Sequence, residues 1–470
     1  METIIGLEIH VELSTDTKMF CSCKNEFGKA PNTNVCPVCL GHPGALPRVN
    51  KRAVEYAIMA GTAFNCDIRD VMKMDRKKYF YPDLTKGYQI TQEDQPIATE
   101  GYIELEEFNK KVRIQRIHME EDTGKSTHTD DGNTLLDYNR AGVPLIEIVS
   151  HPDMSSADEA REFLEALKQR LKFIGVSDVK MEEGSLRCDV NINVKDGDKK
   201  THIAEIKNLN SFKSVAKAIE YEEKRHKEML ESGHISVKET RRWDEASQST
   251  ILMRTKDEEN DYRFTVEADI PVIKLEKSFI ENIQNNMPEL PNDKKNRYMK
   301  EYKLTEYDAN ILSQNKELSD LFESMVERVN DPEIIANWIL SELLRRLKEF
   351  DIEANEMNLS LDNFAKLIKL VKEDKISNNV GKKILREIFE TNEDPETIVK
   401  DRGLLQISDT GFLEGLVKEV LDENPQSIAD YKAGKDRALG YLMGQIMKKS
   451  KGKANPPEVN KMLREKLGEL

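Results

Sequence analysis

From Ile5 to Leu13 the chain alternates strictly. Ile5, Leu7, Ile9, Val11 and Leu13 are apolar, and Gly6, Glu8, His10 and Glu12 fall between them. A side-chain period of two predicts a half-buried strand, with Glu8, His10 and Glu12 on one face and the aliphatic set on the other. The segments YIELEEF, KVRIQRIHM, PLIEIVS and SLRCDVNINV, separated by turn residues, predict further strands. Helices are interspersed. Ser156-x-x-Glu159 forms a capping box ahead of Ala160, Phe163, Leu164, Leu167, Leu171 and Ile174, with Gly175 as the stop. A second helix runs from about Phe212 to Leu230, with its Glu and Lys residues on the side expected to face solvent.

At Pro288 and Pro291 the pattern changes, and strand periods nearly vanish beyond them. ELSDLFESMVERV and IANWILSELLRRL have helical periods, and Asn455-Pro456-Pro457 opens a last helix with Asn as its cap. The expected fold is α+β. A strand-rich mixed cradle spans 1–292, an all-helical domain 293–405, and a small helical tail domain 406–470.

Composition narrows this picture. A chain of 470 residues has room for about three domains. The net charge of −15 argues against non-specific nucleic-acid binding by the whole surface. The stretch from Tyr431 to Leu470 nevertheless holds ten Lys/Arg against four Asp/Glu. No apolar run approaches the ~18 residues of a membrane helix. The first residues carry no basic leader, so a soluble cytoplasmic protein is expected.

Four of the six cysteines cluster as Cys21-x-Cys23 and Cys36-x-x-Cys39, which predicts a closed, structural tetrahedral zinc site. Such a shell leaves no open position for substrate, so it does not define the reaction. Two carboxylates flanking an imidazole in the first strand can instead hold a divalent cation. The segment IHMEEDTGKSTHT lacks the first glycine of a phosphate-binding P-loop, and Met119 stands in its place. It is either a solvated acidic turn or a set of acids on Mg²⁺ with Lys125 nearby. Glu147 interrupts the apolar run PLIEIVS and needs either a metal or a cation such as Arg140. Arg187, Asp189, Asn191 and Asn193 make a polar ladder, either a solvated sheet face or the floor of a cleft. In DRKKYFYPDLTKGYQITQ, Arg76, Lys77, Lys78 and Lys86 interleave with Tyr79, Phe80, Tyr81 and Tyr88, which suits an anionic substrate that carries bases.

Several blocks together resemble a known family. IGLEIHVEL, DRKKYFYPDLTKGYQITQ, HMEEDTGKSTH, DYNRAGVPLIEIVS, GVSDVKMEEGSLRCDVNI, EIKNLNSF, ETRRWDE and YLMGQIMKKSKGKANP occur in the order found in GatB-type aspartyl/glutamyl-tRNA(Asn/Gln) amidotransferase B subunits. The resemblance spans essentially the whole chain. It implies an ATP-dependent ligase that phosphorylates the side-chain carboxylate of Glu-tRNA(Gln) or Asp-tRNA(Asn) and then amidates it. The ammonia would come from a partner amidase, the A chain of a heterotrimer, with a small C chain bracing the pair.

The resemblance places His10 and Glu121 at an Mg²⁺ (or Mn²⁺) site, with Glu8 and Glu147 as further ligands. Strict alternation, by contrast, puts Glu120 and not Glu121 on the face of His118, unless a bulge follows Met119. Lys78, Lys86 and Lys125 are the expected phosphate or nucleotide contacts. Lys448, Lys449, Lys451 and Lys453 are the expected tRNA contacts. Two other readings compete: a non-catalytic zinc-containing RNA-binding protein, and a free-standing ligase acting on small amino acids.

Overall fold

The computed structural model describes residues 1–234, 236–255, 262–406, 410–433, 435, 437–450 and 453–469. Residues 1–290 form one compact unit and 291–470 a second. The fold is α+β.

The first unit is organised by a sheet of ten strands. Its order is Ser249–Thr255, Glu239–Asp244, Ala204–Lys207, Leu186–Asp196, Glu2–Glu12, Pro144–Ser150, Lys110–Glu121, Ala98–Leu105 and Asp67–Ile68, with Lys199–Lys200 beside Leu186–Asp196. All pairs are antiparallel except Ala204–Lys207 with Glu239–Asp244. The N-terminal strand is therefore central, paired along both edges.

Its alternation decides the two faces of the sheet. Ile5, Leu7, Ile9 and Val11 are fully buried and join one core with Ala57 and Ile58 of the helix Lys51–Ala63, Phe163 and Leu167 of Ala157–Phe173, and Val215 and Ile219 of Phe212–Glu231. Each such aliphatic side chain contributes about 1.5–3 kcal/mol by leaving water. The opposite face carries Glu8, His10, Asp189, Asn191 and Glu205, all partly exposed or paired with one another. The polar ladder of Leu186–Asp196 thus lies on the same face as Glu8 and His10.

The strand Lys110–Glu121 has an irregularity that matters for the site. Val149 pairs with Arg116 but Ser150 pairs with Ile114, so Gln115 is an extra, bulged residue. Before it, Val112 and Ile114 point to the core; after it, Ile117 and Met119 do. From Arg116 to Glu121 the register is continuous.

Local capping follows the sequence. Ser156 accepts from Glu159 N at 3.2 Å, although the Glu159 carboxylate turns to Ser155 N (2.7 Å) and Lys110 (2.8 Å) instead of closing the box on Ser156. Gly175 ends the helix with φ +71°. The helix Phe212–Glu231 differs from expectation: Glu222 and His226 are buried, in a network described below.

Among the described residues no strand follows Lys274. The second unit has two separate helical cores, one between Tyr298 and Val399 and one between Leu413 and Leu467. Asn455 caps the last helix, accepting from Glu458 N at 3.3 Å. Among the described residues no helix is long and apolar enough to cross a membrane.

Candidate active site

The sheet register lines up four side chains in one row across the polar face. His10 lies opposite Arg187 on one side and Glu147 on the other, and Glu147 lies opposite His118. Two positions on from His118, Glu120 shares this face and reaches diagonally into the row. His10 Nε2 is 3.3 Å from Glu120 Oε1 and 3.4 Å from Glu147 Oε2. His118 Nε2 is 3.1 Å from Glu147 Oε2 and 3.7 Å from Glu120 Oε2. Thr91 Oγ1 donates to Glu120 at 3.3 Å. The two carboxylates and His118 are almost wholly buried, whereas a quarter of the His10 side chain is exposed. A ligand can reach the cluster from the His10 side.

Electrostatics define what such a ligand must be. Burial opposes charge on His10, yet Glu147 and Glu120 outweigh it and push the imidazole up to about 10. Burial would raise both carboxyls, but the two imidazoles hold them below the usual carboxylate range. The spot therefore favours positive charge. Donor atoms of His10, Glu120 and Glu147 lie within 4.8 Å of one another, a carboxylate-rich set with one imidazole that fits Mg²⁺ or Mn²⁺. His118 Nδ1 is buried without a hydrogen-bond partner.

Glu121, expected beside His10, lies elsewhere. It points to the other face, where its oxygens sit 2.7 and 2.8 Å from Lys86 Nζ and accept from Ile90 N at 3.0 Å. The bulge that would have turned it toward His10 lies at Gln115, ahead of His118, so alternation through Glu121 is undisturbed. The same pair engages Lys86, expected as a phosphate or nucleotide contact. Glu147 meets His10 and His118; Arg140 bonds to Asp122 (3.4 Å) and to the carbonyls of Thr123 and Gly124.

Glu8 sits one register step from His10, accepts from Asn191 at 2.8 Å, and groups with Asp189 and Glu205 around Lys207. Burial and the nearby Glu147 raise its pKa. Among the described residues, Lys78 and Lys125 have no ion-pair partner. In the tail, Lys448 is exposed, Lys449 pairs with Glu419 (2.8 Å) and Glu423 (2.6 Å), and Lys451 lies outside the described residues. Lys453 is half-buried, its Nζ close to Gly403. His118 is the member of the cluster that the expected ligand set lacked, and Glu120, the alternative to Glu121, is the glutamate that reaches His10. The signal for them was the alternation His118-x-Glu120 itself.

Cys21, Cys23, Cys36 and Cys39 bring their sulfurs within 4.8 Å of one another. Hydrogen bonds from Cys21 and from Cys36 N (3.1 Å), with Lys18 nearby, outweigh burial and push Cys39 down to about 4. A thiolate among converging thiols fits a tetrahedral metal. The knuckle lies against the Lys86–Glu121 pair. Gly41 has φ +68°, and a Cβ there would sit 2.5 Å from Lys86 Cγ, so only glycine permits the approach. A cavity of about 250 Å³ lies between them, lined by Phe20, Cys39, His42, Lys86, Tyr88 and Glu121 among others.

Comparison with known proteins identifies the family. The model of the GatB/GatE catalytic domain matches residues 3–281, and that of the GatB domain matches 320–467. The aspartyl/glutamyl-tRNA(Asn/Gln) amidotransferase B chain of Finegoldia magna is 63% identical over 99% of this chain and 100% of its own length. The protein of the same name from Clostridium tetani is 51% identical over 100% of this chain and 99% of its own, and that of Clostridium botulinum 49% over the same shares. With a catalytic-domain model covering more than half of the chain and relatives matched end to end, the chain belongs to the family of aspartyl/glutamyl-tRNA(Asn/Gln) amidotransferase B subunits.

Proposed function

We propose that this chain is the ligase component of an ATP-dependent transamidase, acting on misacylated Glu-tRNA(Gln), Asp-tRNA(Asn) or both. It works with an amidase A chain that supplies ammonia and a small C chain. The observation that carries this reading is the carboxylate-rich His10–Glu120–Glu147 cluster at the centre of the catalytic-domain sheet.

A carboxylate is a poor acyl donor because its leaving group would be oxide or hydroxide. A side-chain carboxylate oxygen therefore first attacks the γ-phosphorus of ATP, releasing ADP and forming an acyl phosphate. Ammonia then attacks the acyl carbon, inorganic phosphate leaves, and the nitrogen loses a proton to give the amide. His10, Glu120 and Glu147 would hold Mg²⁺ or Mn²⁺, which when bound offsets negative charge on the phosphoryl group and the carboxylate. His118 fixes the two carboxylates from behind. Glu8 is one step away on the same face, where it can complete the ligand set. Lys78 and Lys125, without an ion-pair partner among the described residues, would meet phosphate. The four cysteines would hold a structural Zn²⁺ that staples the loop behind Lys86. Lys448, Lys449, Lys451 and Lys453 would grip the tRNA body through its phosphates.

A purely RNA-binding protein has no use for two buried carboxylates aimed at one point, so the non-catalytic reading leaves the centre of the sheet unexplained. The test is ATP hydrolysis by the chain co-purified with its amidase partner. Stimulation by Glu-tRNA(Gln), but not by Gln-tRNA(Gln), is expected. Tight tRNA binding with no ATP turnover under either condition would sink the proposal.

A further inference from the structure

A hairpin tied to the carboxylate cluster carries two exposed rings at its far end. The strands Asp75–Lys78 and Tyr88–Thr91 pair from Asp75↔Thr91 to Lys78↔Tyr88. At the inner end, Thr91 Oγ1 donates to Glu120 (3.3 Å), Ile90 N to the Glu121 carboxylate (3.0 Å), and Gln89 Nε2 to the Glu121 carbonyl (2.9 Å).

The connecting loop is anchored as well. The Tyr79 ring meets Tyr262 edge-on at 6.1 Å, and Tyr262 meets Phe264 at 6.0 Å. Gly124 N donates to Asp83 O at 2.9 Å, and Tyr138 Oη to Pro82 O at 3.0 Å. Yet Phe80 is 83% exposed and Tyr81 59%. Rings left in water on a loop held at this many points do not serve the core of this unit.

Lysines flank the loop along the chain, and its own carboxylate, Asp83, accepts from Thr123 Oγ1 at 3.3 Å. Lys77 Nζ lies 4.8 Å from the Tyr262 ring centre. Among the described residues, Lys78, two positions before Phe80, and Lys125, next to the Gly124 that anchors the loop, have no ion-pair partner. Fixed rings beside uncommitted lysines match a single-stranded nucleic acid, whose every base offers a π-face and every linkage a phosphate.

We propose that Phe80 and Tyr81 are a stacking platform for the unpaired bases at the 3′ end of the tRNA, with Lys78 and Lys125 meeting its phosphates. The hairpin then delivers the free side-chain carboxylate of the esterified amino acid to the His10–Glu120–Glu147 cluster. This inference rests on the transamidase reading and locates the end of its RNA substrate. Two rings and two lysines in series suit consecutive nucleotides better than the single adenine of ATP.

The experiment uses the full complex with its amidase and small partner chains, and tRNA carrying 2-aminopurine in place of the 3′-terminal adenine. Binding is expected to quench the fluorescence, and excess ATP not to restore it. Phe80→Ala with Tyr81→Ala should abolish the quenching and raise KM for the charged tRNA roughly 5- to 150-fold for each stack lost, the range of base–aromatic stacking. Phe80→Tyr should keep both near wild type.

Quenching that survives the double substitution would overturn the proposal. So would its reversal by ATP, which assigns the rings to the nucleotide. Loss of co-purification with the amidase partner would do so too, because it assigns them to a protein interface. Quenching needs no chemistry, so a wild-type complex that quenches but never amidates rejects the transamidase reading and leaves the platform standing.

Discussion

Two clusters in the first unit are built from the same parts, imidazole against a pair of glutamates, and they behave in opposite ways. In the helix Phe212–Glu231, Glu222 and His226 meet Glu239 in a group buried on all sides. Arg225 pairs with both glutamates, and so does Arg241: Arg225–Glu222 is 2.6 Å and Arg241–Glu239 2.9 Å. Thr250 also donates to Glu222. Two permanent cations cancel two carboxylates, and no further charge is needed. At the centre of the sheet, Glu120 and Glu147 pair with the imidazoles of His10 and His118. Their compensating charge is carried by protons, which a metal ion can displace, and one side is open. Donor type alone does not mark a metal site; replaceable charge with an access route does.

This contrast can be broken by substitution. The largest effect is expected for Glu120→Gln, which should abolish ATP-dependent amidation by more than the roughly 10–100-fold typical of a residue behind the ligands. It should also remove Mn²⁺ binding in a paramagnetic-resonance titration, whereas Glu121→Gln should leave Mn²⁺ affinity unchanged. Equal loss of Mn²⁺ binding in both would return Glu121 to the ligand set.

Next comes Glu222→Ala, which leaves the Arg225 and Arg241 guanidinium groups only the Glu239 carboxylate to share. Thermal unfolding should show a loss of about 3–5 kcal/mol. An unchanged midpoint would mean that the network adds nothing to stability.

His118→Gln should weaken Mn²⁺ binding roughly 10–100-fold while the chain stays folded, as for other groups that orient metal ligands. Wild-type affinity would show that Glu147 and Glu120 hold their positions without it.

The smallest effect is one of pH. Burial opposes ionisation of Glu222, but His226 and Arg225 hold it down at about 2. Its folded value lies below its ordinary one of 4.5, so this stabilisation is complete above about pH 4.5 and is lost as pH falls toward 2. Glu222→Gln should flatten that part of an acid unfolding profile followed by circular dichroism. An unaltered slope would show that other carboxylates carry it.

Much of this was legible because strands announce their faces. The alternation from Ile5 to Leu13 placed Glu8 and His10 together, and the run PLIEIVS exposed Glu147 as a carboxylate needing a partner. Which partner was not legible, because His118 reaches Glu147 through strand register, a property of pairing and not of local sequence. The segment IHMEEDT could be an acidic turn as easily as a strand end, and its position beside Pro144–Ser150 settles the matter. Glu222 and His226 were hidden differently. They sit on a helix rich in charge, and only the edge strands that bring Arg241, Glu239 and Thr250 over them make that side an interior.

The bulge at Gln115 has a further consequence, for how this strand can change over evolutionary time. Ahead of the bulge, a gained or lost residue can be absorbed where pairing is already irregular. Beyond Arg116 no such slack exists: one inserted residue would trade His118 and Glu120 for Ile117 and Met119 at the mouth of the site. Length variation among homologous strands should therefore stop abruptly at Arg116, a punctuation mark separating editable text from text that must be copied letter by letter.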